Sequence, residues 1–306
     1  KAKVMIRVSR GMLANLRLIS RHPTTGCPPI YWGEDVTVTP NKLFARKVLA
    51  EGRRLFNSWQ FAAAEKVLES FLGRFSPGLV RRWFADLEEL YLLCKAYRLW
   101  DAFDHLATRE AFEAIGRVVV ERWPEKVKEN KGWVNQIARR LREEEPAKRL
   151  CAELLVDLWA NAFRRLEERR FIDAVARLYR LAEMMAQYRL WHGYGIDTGN
   201  VDVERVPDGA RGWLETYGNE RGRVQVPLKA AYELLAALGD ELGRAWEDLG
   251  LRNALRARNE SIAAHGLQPV NEEVALRLKE ALEPLLLKVV PQLNAYLSRA
   301  TFPVLD

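Results

Sequence analysis

Arg256-Ala257-Arg258-Asn259-Glu260-Ser261-Ile262-Ala263-Ala264-His265-Gly266 is the stretch on which the reading of this 306-residue chain turns. At roughly 100° per residue, Arg258 and His265 lie about two helical turns apart and about 20° out of line, so both project from one face. Ser261 and Ile262 fall between them. Gly266 is placed to close the helix in the left-handed conformation and Pro269 forbids its continuation, so His265 falls in the last turn. There the negative end of the helix dipole favours the protonated imidazole, which brings its titration into a useful range near neutrality. A guanidinium, an amide and an imidazole on one face suit phosphate chemistry. A histidine near a helix end is also an ordinary cap or a buried hydrogen-bonded residue, and periodicity alone does not separate the two.

Outward from this stretch the chain reads as helix almost throughout. The motif ends a helix expected over 240 to 265, preceded by one over 227 to 239. After the break, Asn271 with Glu272 and Glu273 makes a sound helix start, an N-cap oxygen with acids in the first turn, for a helix running to Arg299. The two helices flanking Gly266 to Val270 are expected to pair antiparallel. Upstream, apolar residues at three-to-four spacing predict helices over 43 to 58, 61 to 75, 79 to 99, 101 to 122, 124 to 143, 147 to 168 and 170 to 192. Ser76-Pro77-Gly78, Trp123-Pro124 and Glu145-Pro146 supply breaks. The fold class is all-α.

One pattern occurs twice. Arg54-Leu55-Phe56 leading to Phe61-x-x-Ala64 matches Arg164-Arg165-Leu166 leading to Phe171-x-x-Ala174, each a helix, a tight turn and a second helix. Two distant copies do not make a solenoid, which needs about three or more stacked neighbours. The better account is two helix pairs with a small residue at the crossing.

Two segments depart from the helical pattern. Residues 1 to 40 read as short strands at Val4-Met5-Ile6-Arg7-Val8 and Thr37-Val38-Thr39, with Pro23, Gly26, Pro28, Pro29, Gly33 and Pro40 breaking the rest into loops. Forty residues of this kind cannot close a core, so they are expected to be a tail or the remnant of a larger domain. From Gly193 to about Arg223, glycines, Asp197, Asn200 and Pro207-Asp208-Gly209 predict an irregular surface excursion. Arg205, Arg211, Arg221 and Arg223 on it suit a phosphate backbone, and suit a solvated loop equally.

Composition narrows the class. Hydrophobic residues at 48% are enough for a real core, and a net charge of +7 makes polyanions reasonable partners. Cys27, Cys94 and Cys151 are odd in number and far apart, which gives neither metal-ligand pairing nor a disulfide framework and fits a reducing cytoplasm. No apolar run approaches the roughly 18 residues of a membrane span.

Arg258-Asn259, the residues through Ala264 and then His265 resemble the R-x4-6-H signature of HEPN ribonucleases. The longer run Arg-Asn-x-Ser-Ile-x-Ala-His-Gly is similar to that of the CRISPR-associated type III accessory ribonucleases of the CARF–HEPN family. The Leu55-Phe56 to Ala64 hairpin and the Tyr194 to Asn200 loop extend the resemblance over roughly residues 45 to 300. It implies three parts: an N-terminal tail or sensor remnant over 1–40, a helical domain over 41–146 and a HEPN-like bundle over 147–306. The family's CARF domain, which binds cyclic oligoadenylate as an activator, is expected to be largely missing from this chain. The resemblance further implies a metal-independent homodimer with a composite site at its interface, acting on single-stranded RNA in antiviral defence.

The residues suit that chemistry. RNA carries its own nucleophile in the 2′-OH, so cleavage needs that group deprotonated, the leaving 5′-oxygen protonated and the phosphorane charge stabilised. His265 is the candidate general acid or base, Arg258 the bidentate phosphate clamp, and Asn259 orients either the imidazole or the phosphate. One histidine cannot easily be both acid and base, and two chains about a two-fold axis supply two. No metal or other cofactor is needed for this chemistry. His22 and His105 rank below the motif; His192, beside the glycine loop, is kept as a second candidate. The tryptophans, among them Trp59, Trp83, Trp213 and Trp246, are expected in the core, with base stacking by Trp213 as the lesser reading. Two alternatives stay open: a helical RNA- or protein-binding module that does not cut, and a HEPN toxin of a toxin–antitoxin pair.

Overall fold

The computed structural model describes residues 34–116, 124–244, 256 and 269–306, with side chains from residue 43 onward. Among these residues every regular element is helical, as the periodicity implies, and one isolated antiparallel bridge joins Gly218 to Val224. The expected strand at Val4 to Val8, His22, Trp246 and the motif residues Arg258, Asn259 and His265 lie outside the described residues.

Helix α1 (Glu34–Asn57) starts before the predicted one and runs through Thr37-Val38-Thr39 and Pro40, where a strand and a break were expected. The β-preference of that triplet depends on its surroundings and yields to a helix propagating from the amphipathic 43–57 stretch. Pro40 removes one hydrogen bond near the start of the helix without ending it.

Four helical hairpins share one turn. Between α1 and α2 (Phe61–Leu72), Trp59 adopts φ 58°, and the Gln60 and Trp59 amides donate to the Leu55 and Phe56 carbonyls, both at 2.9 Å. This is the Schellman closure of a helix, which places one residue in the left-handed region. The same bonds recur at Phe103 between α4 (Ala85–Asp101) and α5 (His105–Gly116), and at Arg169 between α7 (Ala152–Glu167) and α8 (Phe171–Tyr194). Gly239 repeats them between α10 (Leu228–Ala237) and α11 (Glu241–Arg244). The repeated sequence pattern marks the first and third of these turns. Ala64 and Ala174 are fully buried at the crossings, as the small-residue reading requires, and Thr108 takes the same place after Phe103.

Two long expected helices are each two. The 79 to 99 prediction resolves into α3 (Pro77–Trp83) and α4, parted at Phe84, whose ring turns into the core 5.1 Å from Phe71 and 4.7 Å from Phe75. The 271 to 299 prediction resolves into α12 (Glu272–Val289) and α13 (Leu293–Ala300), parted at Val290-Pro291, where proline restricts the residue before it. Trp83, expected in the core, is more than a third exposed and carries Arg82 over its ring at 5.2 Å. Trp100, Trp133 and Trp159 are core, as expected.

Polar groups join the first half of the chain to the second. The fully buried Asp157 of α7 accepts hydrogen bonds from Trp100 Nε1 of α4 at 2.9 Å and from Trp133 Nε1 of α6 (Glu125–Arg140) at 3.1 Å. His105 Nε2 at the start of α5 lies 2.8 Å from the same carboxylate, which makes His105 a hydrogen-bonded core residue. The segment after α13 also returns across this seam. Phe302 lies 4.7 Å from Trp100 and under the Arg164 guanidinium at 3.8 Å, while the Asn57 amide pairs with both backbone groups of Leu305 at 2.8 Å.

Candidate functional site

The motif residues lie between described parts of the chain. Upstream, α11 follows directly on the Gly239 turn, and Arg256 is helical and exposed two residues before Arg258. Beyond it, Asn271 caps α12 as its sequence predicts, its side-chain oxygen accepting from the Val274 amide at 3.0 Å. α12 and α10 both pack on α8, so both described neighbours of the motif segment rest on one long central helix.

The start of α11 is fixed by Asp240, whose side chain is almost wholly buried. Oδ1 accepts from the Leu242 amide at 2.8 Å, the N-cap bond of α11. Oδ2 accepts from Arg189 Nε at 2.7 Å and from the Tyr194 hydroxyl at 2.9 Å, both on the last turns of α8. Burial pushes the Asp240 carboxyl up. The bonds from Arg189, the Leu242 amide and Tyr194, together with the Arg189 charge, outweigh burial and hold it below its ordinary value. Gly243 completes the junction: a Cβ there would fall inside the backbone of Leu235 and Ala236, so α11 lies directly against α10. Sequence reading places the helix break at 239 and 240 but misses this cluster, because Arg189 and Tyr194 stand 51 and 46 residues from Asp240.

The segment expected to be an irregular surface excursion is ordered and packed. It holds a single 3₁₀ turn (Val203–Arg205) and α9 (Asp208–Glu215), and Val201 and Val226 amides donate to Val224 and Thr198 carbonyls at 2.9 Å. Ile196, Val201, Val206, Leu214, Val224 and Val226 are buried; spaced singly among glycines and polar residues, they leave no period for sequence reading to find. Of its arginines, Arg205, Arg221 and Arg223 are exposed, while Arg211 pairs with Glu204 and Asp208, both at 3.3 Å. Trp213 is half-buried against Tyr217. His192 contacts the Leu150 carbonyl at 3.0 Å through Nε2 and lies 4.3 Å from the Tyr188 ring, which ties the last turn of α8 to the segment before α7.

The family called Csm6 6H domain matches residues 44–147, and the family called Csm6 HEPN domain matches residues 143–287. The chain belongs to the Csm6 family of CRISPR-associated HEPN ribonucleases. Comparison with curated proteins gave no match. Within this family frame, α1 to α6 form the 6H part, α7 to α12 lie largely in the HEPN part, and the Asp157 node joins the two. Arg258, Asn259 and His265 fall inside the HEPN match. Among the described residues no helix is long and apolar enough to cross a membrane, and no group of three His, Cys, Asp or Glu side chains is placed to hold a metal ion.

Proposed function

We propose that the chain is a metal-independent endoribonuclease that cuts single-stranded RNA in a composite site formed by two copies of itself. The observation that carries this reading is the coincidence of Arg258, Asn259 and His265 with the family-matched HEPN segment. The substrate 2′-oxygen attacks phosphorus and the bond to the 5′-oxygen breaks, leaving a 2′,3′-cyclic phosphate and a 5′-hydroxyl. One His265 takes the 2′ proton and the His265 of the second copy gives a proton to the leaving oxygen. The paired Arg258 side chains hold the non-bridging oxygens and offset the charge that builds in the phosphorane, and Asn259 orients imidazole or phosphate.

On this reading residues 41–146 form a helical domain and 147–306 the nuclease domain. The protein acts in the cytoplasm in type III CRISPR antiviral defence, with cyclic oligoadenylate as activator through a CARF sensor. The test is cleavage of a fluorophore–quencher single-stranded RNA in EDTA by the parent and by His265→Ala and Arg258→Ala. Cleavage by the parent alone supports the site. Equal cleavage by all three ends it, and RNA affinity without turnover in any of them selects a binding module.

A further inference from the structure

A cavity of about 370 Å³ lies where the 6H part meets the HEPN part, and the chemistry of cleavage does not use it. Small-molecule sites favour such junctions and span about 300 to 1,000 Å³. Helical spacing builds the wall. On α7, Trp159 with Phe163 and Ala160 with Arg164 each stand one turn apart, and on α12 Lys279 and Glu283 do the same. Trp59, from the turn between α1 and α2, and Phe302, from the segment after α13, add two more rings. Ala160 has no bulk to fill the space between them.

The lining suits a ligand that is flat at one end and anionic at the other. The Arg164 side chain is about 5% exposed and donates through Nε to Asp101 at 2.9 Å, while its buried Nη2 has no acceptor among the described residues. A buried charged donor left without an acceptor is costly, so an incoming oxygen has a place to bind. Phe302, 3.8 Å beneath the guanidinium, fixes its plane. Lys279 Nζ lies 5.6 Å from the Trp159 ring and 5.9 Å from Phe163, and pairs with Glu283 at 3.1 Å. Two cations therefore meet one carboxylate in the lining, and that carboxylate is committed to Lys279. Phe163 is 44% exposed and Trp59 half-buried, so ring surface is left open for stacking. Aromatic faces that take a base beside cations that take a phosphate are the common means of holding a nucleotide.

We propose that this cavity binds a single nucleotide, its base against Phe163 and Trp59 and its phosphate on Arg164 Nη2 and Lys279. The shared chemistry, a base joined through a sugar to a phosphate, is offered both by a free nucleotide and by one unit of a single-stranded RNA. The inference stands apart from the nuclease reading, because none of these residues belongs to the motif.

The probe is adenosine 5′-monophosphate, titrated calorimetrically into the full chain, with adenosine and inorganic phosphate as its two halves. The expected result is one saturable site for the monophosphate, with each half bound about tenfold or more weakly. Phe163→Ala removes a largely exposed ring, Lys279→Gln removes a charge and Ala160→Phe fills the space. Each is expected to weaken the monophosphate about tenfold or more at a temperature where circular dichroism shows it folded. Phe163→Ala decides alone if Ala160→Phe does not fold. Arg258→Ala is expected to bind as the parent does. Competition by a short 2′-O-methyl oligouridylate, which carries no 2′ nucleophile, identifies a unit of an RNA strand as the occupant, and failure to compete identifies the free nucleotide. No saturable binding of the monophosphate, tighter binding of either half, or an unchanged affinity in folded Phe163→Ala overturns the site. A loss confined to Arg258→Ala also overturns it, since the nucleotide would then sit at the motif.

Discussion

Trp100 and Asp157 face each other across the junction of the two family-matched segments, the indole N–H donating to both carboxylate oxygens at 2.9 and 3.1 Å. With Trp133 and His105 on the same carboxylate, three helices of the 6H part converge on one side chain of the HEPN part. Buried donors without acceptors cost about 1–3 kcal/mol each, so a shared acceptor is worth more than any one of its bonds. Asp157→Ala is expected to lose about 3–5 kcal/mol of stability by urea denaturation. A loss under about 1 kcal/mol would mean that apolar packing holds the two parts together without the network.

Arg169 holds a left-handed conformation at φ 58°, with its side chain mostly exposed and only a 4.0 Å approach to Glu272. A side chain in that region costs about 1 kcal/mol, and glycine does not meet the cost. Arg169→Gly is therefore expected to raise the melting temperature by a few degrees, offset in part by the freer unfolded chain. Trp59→Gly in the equivalent turn is expected to lower it, because Trp59 packs against the core. Two shifts of the same sign would show that the turn conformation is not what distinguishes the sites.

Cys94 and Cys151 are buried thiols, and burial pushes both up to about 12. The thiolate is the reactive form, so the folded protein exposes almost none of it at these two positions near pH 8. Both are expected to react with Ellman's reagent only as the chain unfolds, which a comparison of Cys94→Ala and Cys151→Ala with the parent in and out of urea reads directly. Prompt labelling of either in the native protein would contradict its packing.

What the sequence reveals here is local. The Asn271 cap, the hairpins and their small crossing residues are legible because each signal lies within a few residues of its effect. The parting of α3 from α4 at Phe84 is not, since it depends on Phe71 and Phe75 packing on that ring. The 193 to 223 segment fails for the converse reason: its glycines and prolines are visible, while the burial of Val201, Val206 and Leu214 depends on tertiary packing. Asp157, one acid in an apolar run, reads as an interruption until three ring donors arrive from elsewhere in the chain. Arg258, Asn259 and His265 are picked out by their chemistry alone and lie outside the described residues.

Asp240 and Arg189 supply a pH signature of the junction. Burial alone raises the Asp240 carboxyl, and the bonds from Arg189, Leu242 and Tyr194 with the Arg189 charge bring it below the ordinary value of 3.8. A carboxyl depressed in the folded state contributes stability that is fully present above its unfolded value and is lost as pH falls through its lower folded value. Arg189→Ala removes the principal bond and leaves burial to dominate, so in the variant that contribution disappears at a higher pH. Arg189 is itself half-exposed, which limits the size of the effect through solvent screening. The parent is expected to be the more stable near pH 7, with the advantage shrinking as pH falls through the carboxylate range and vanishing once Asp240 is protonated in both. Urea midpoints of the two proteins between pH 7 and pH 3 check this. A difference that keeps its size down to pH 3 would show that Arg189 acts through packing of its stem rather than through the Asp240 charge.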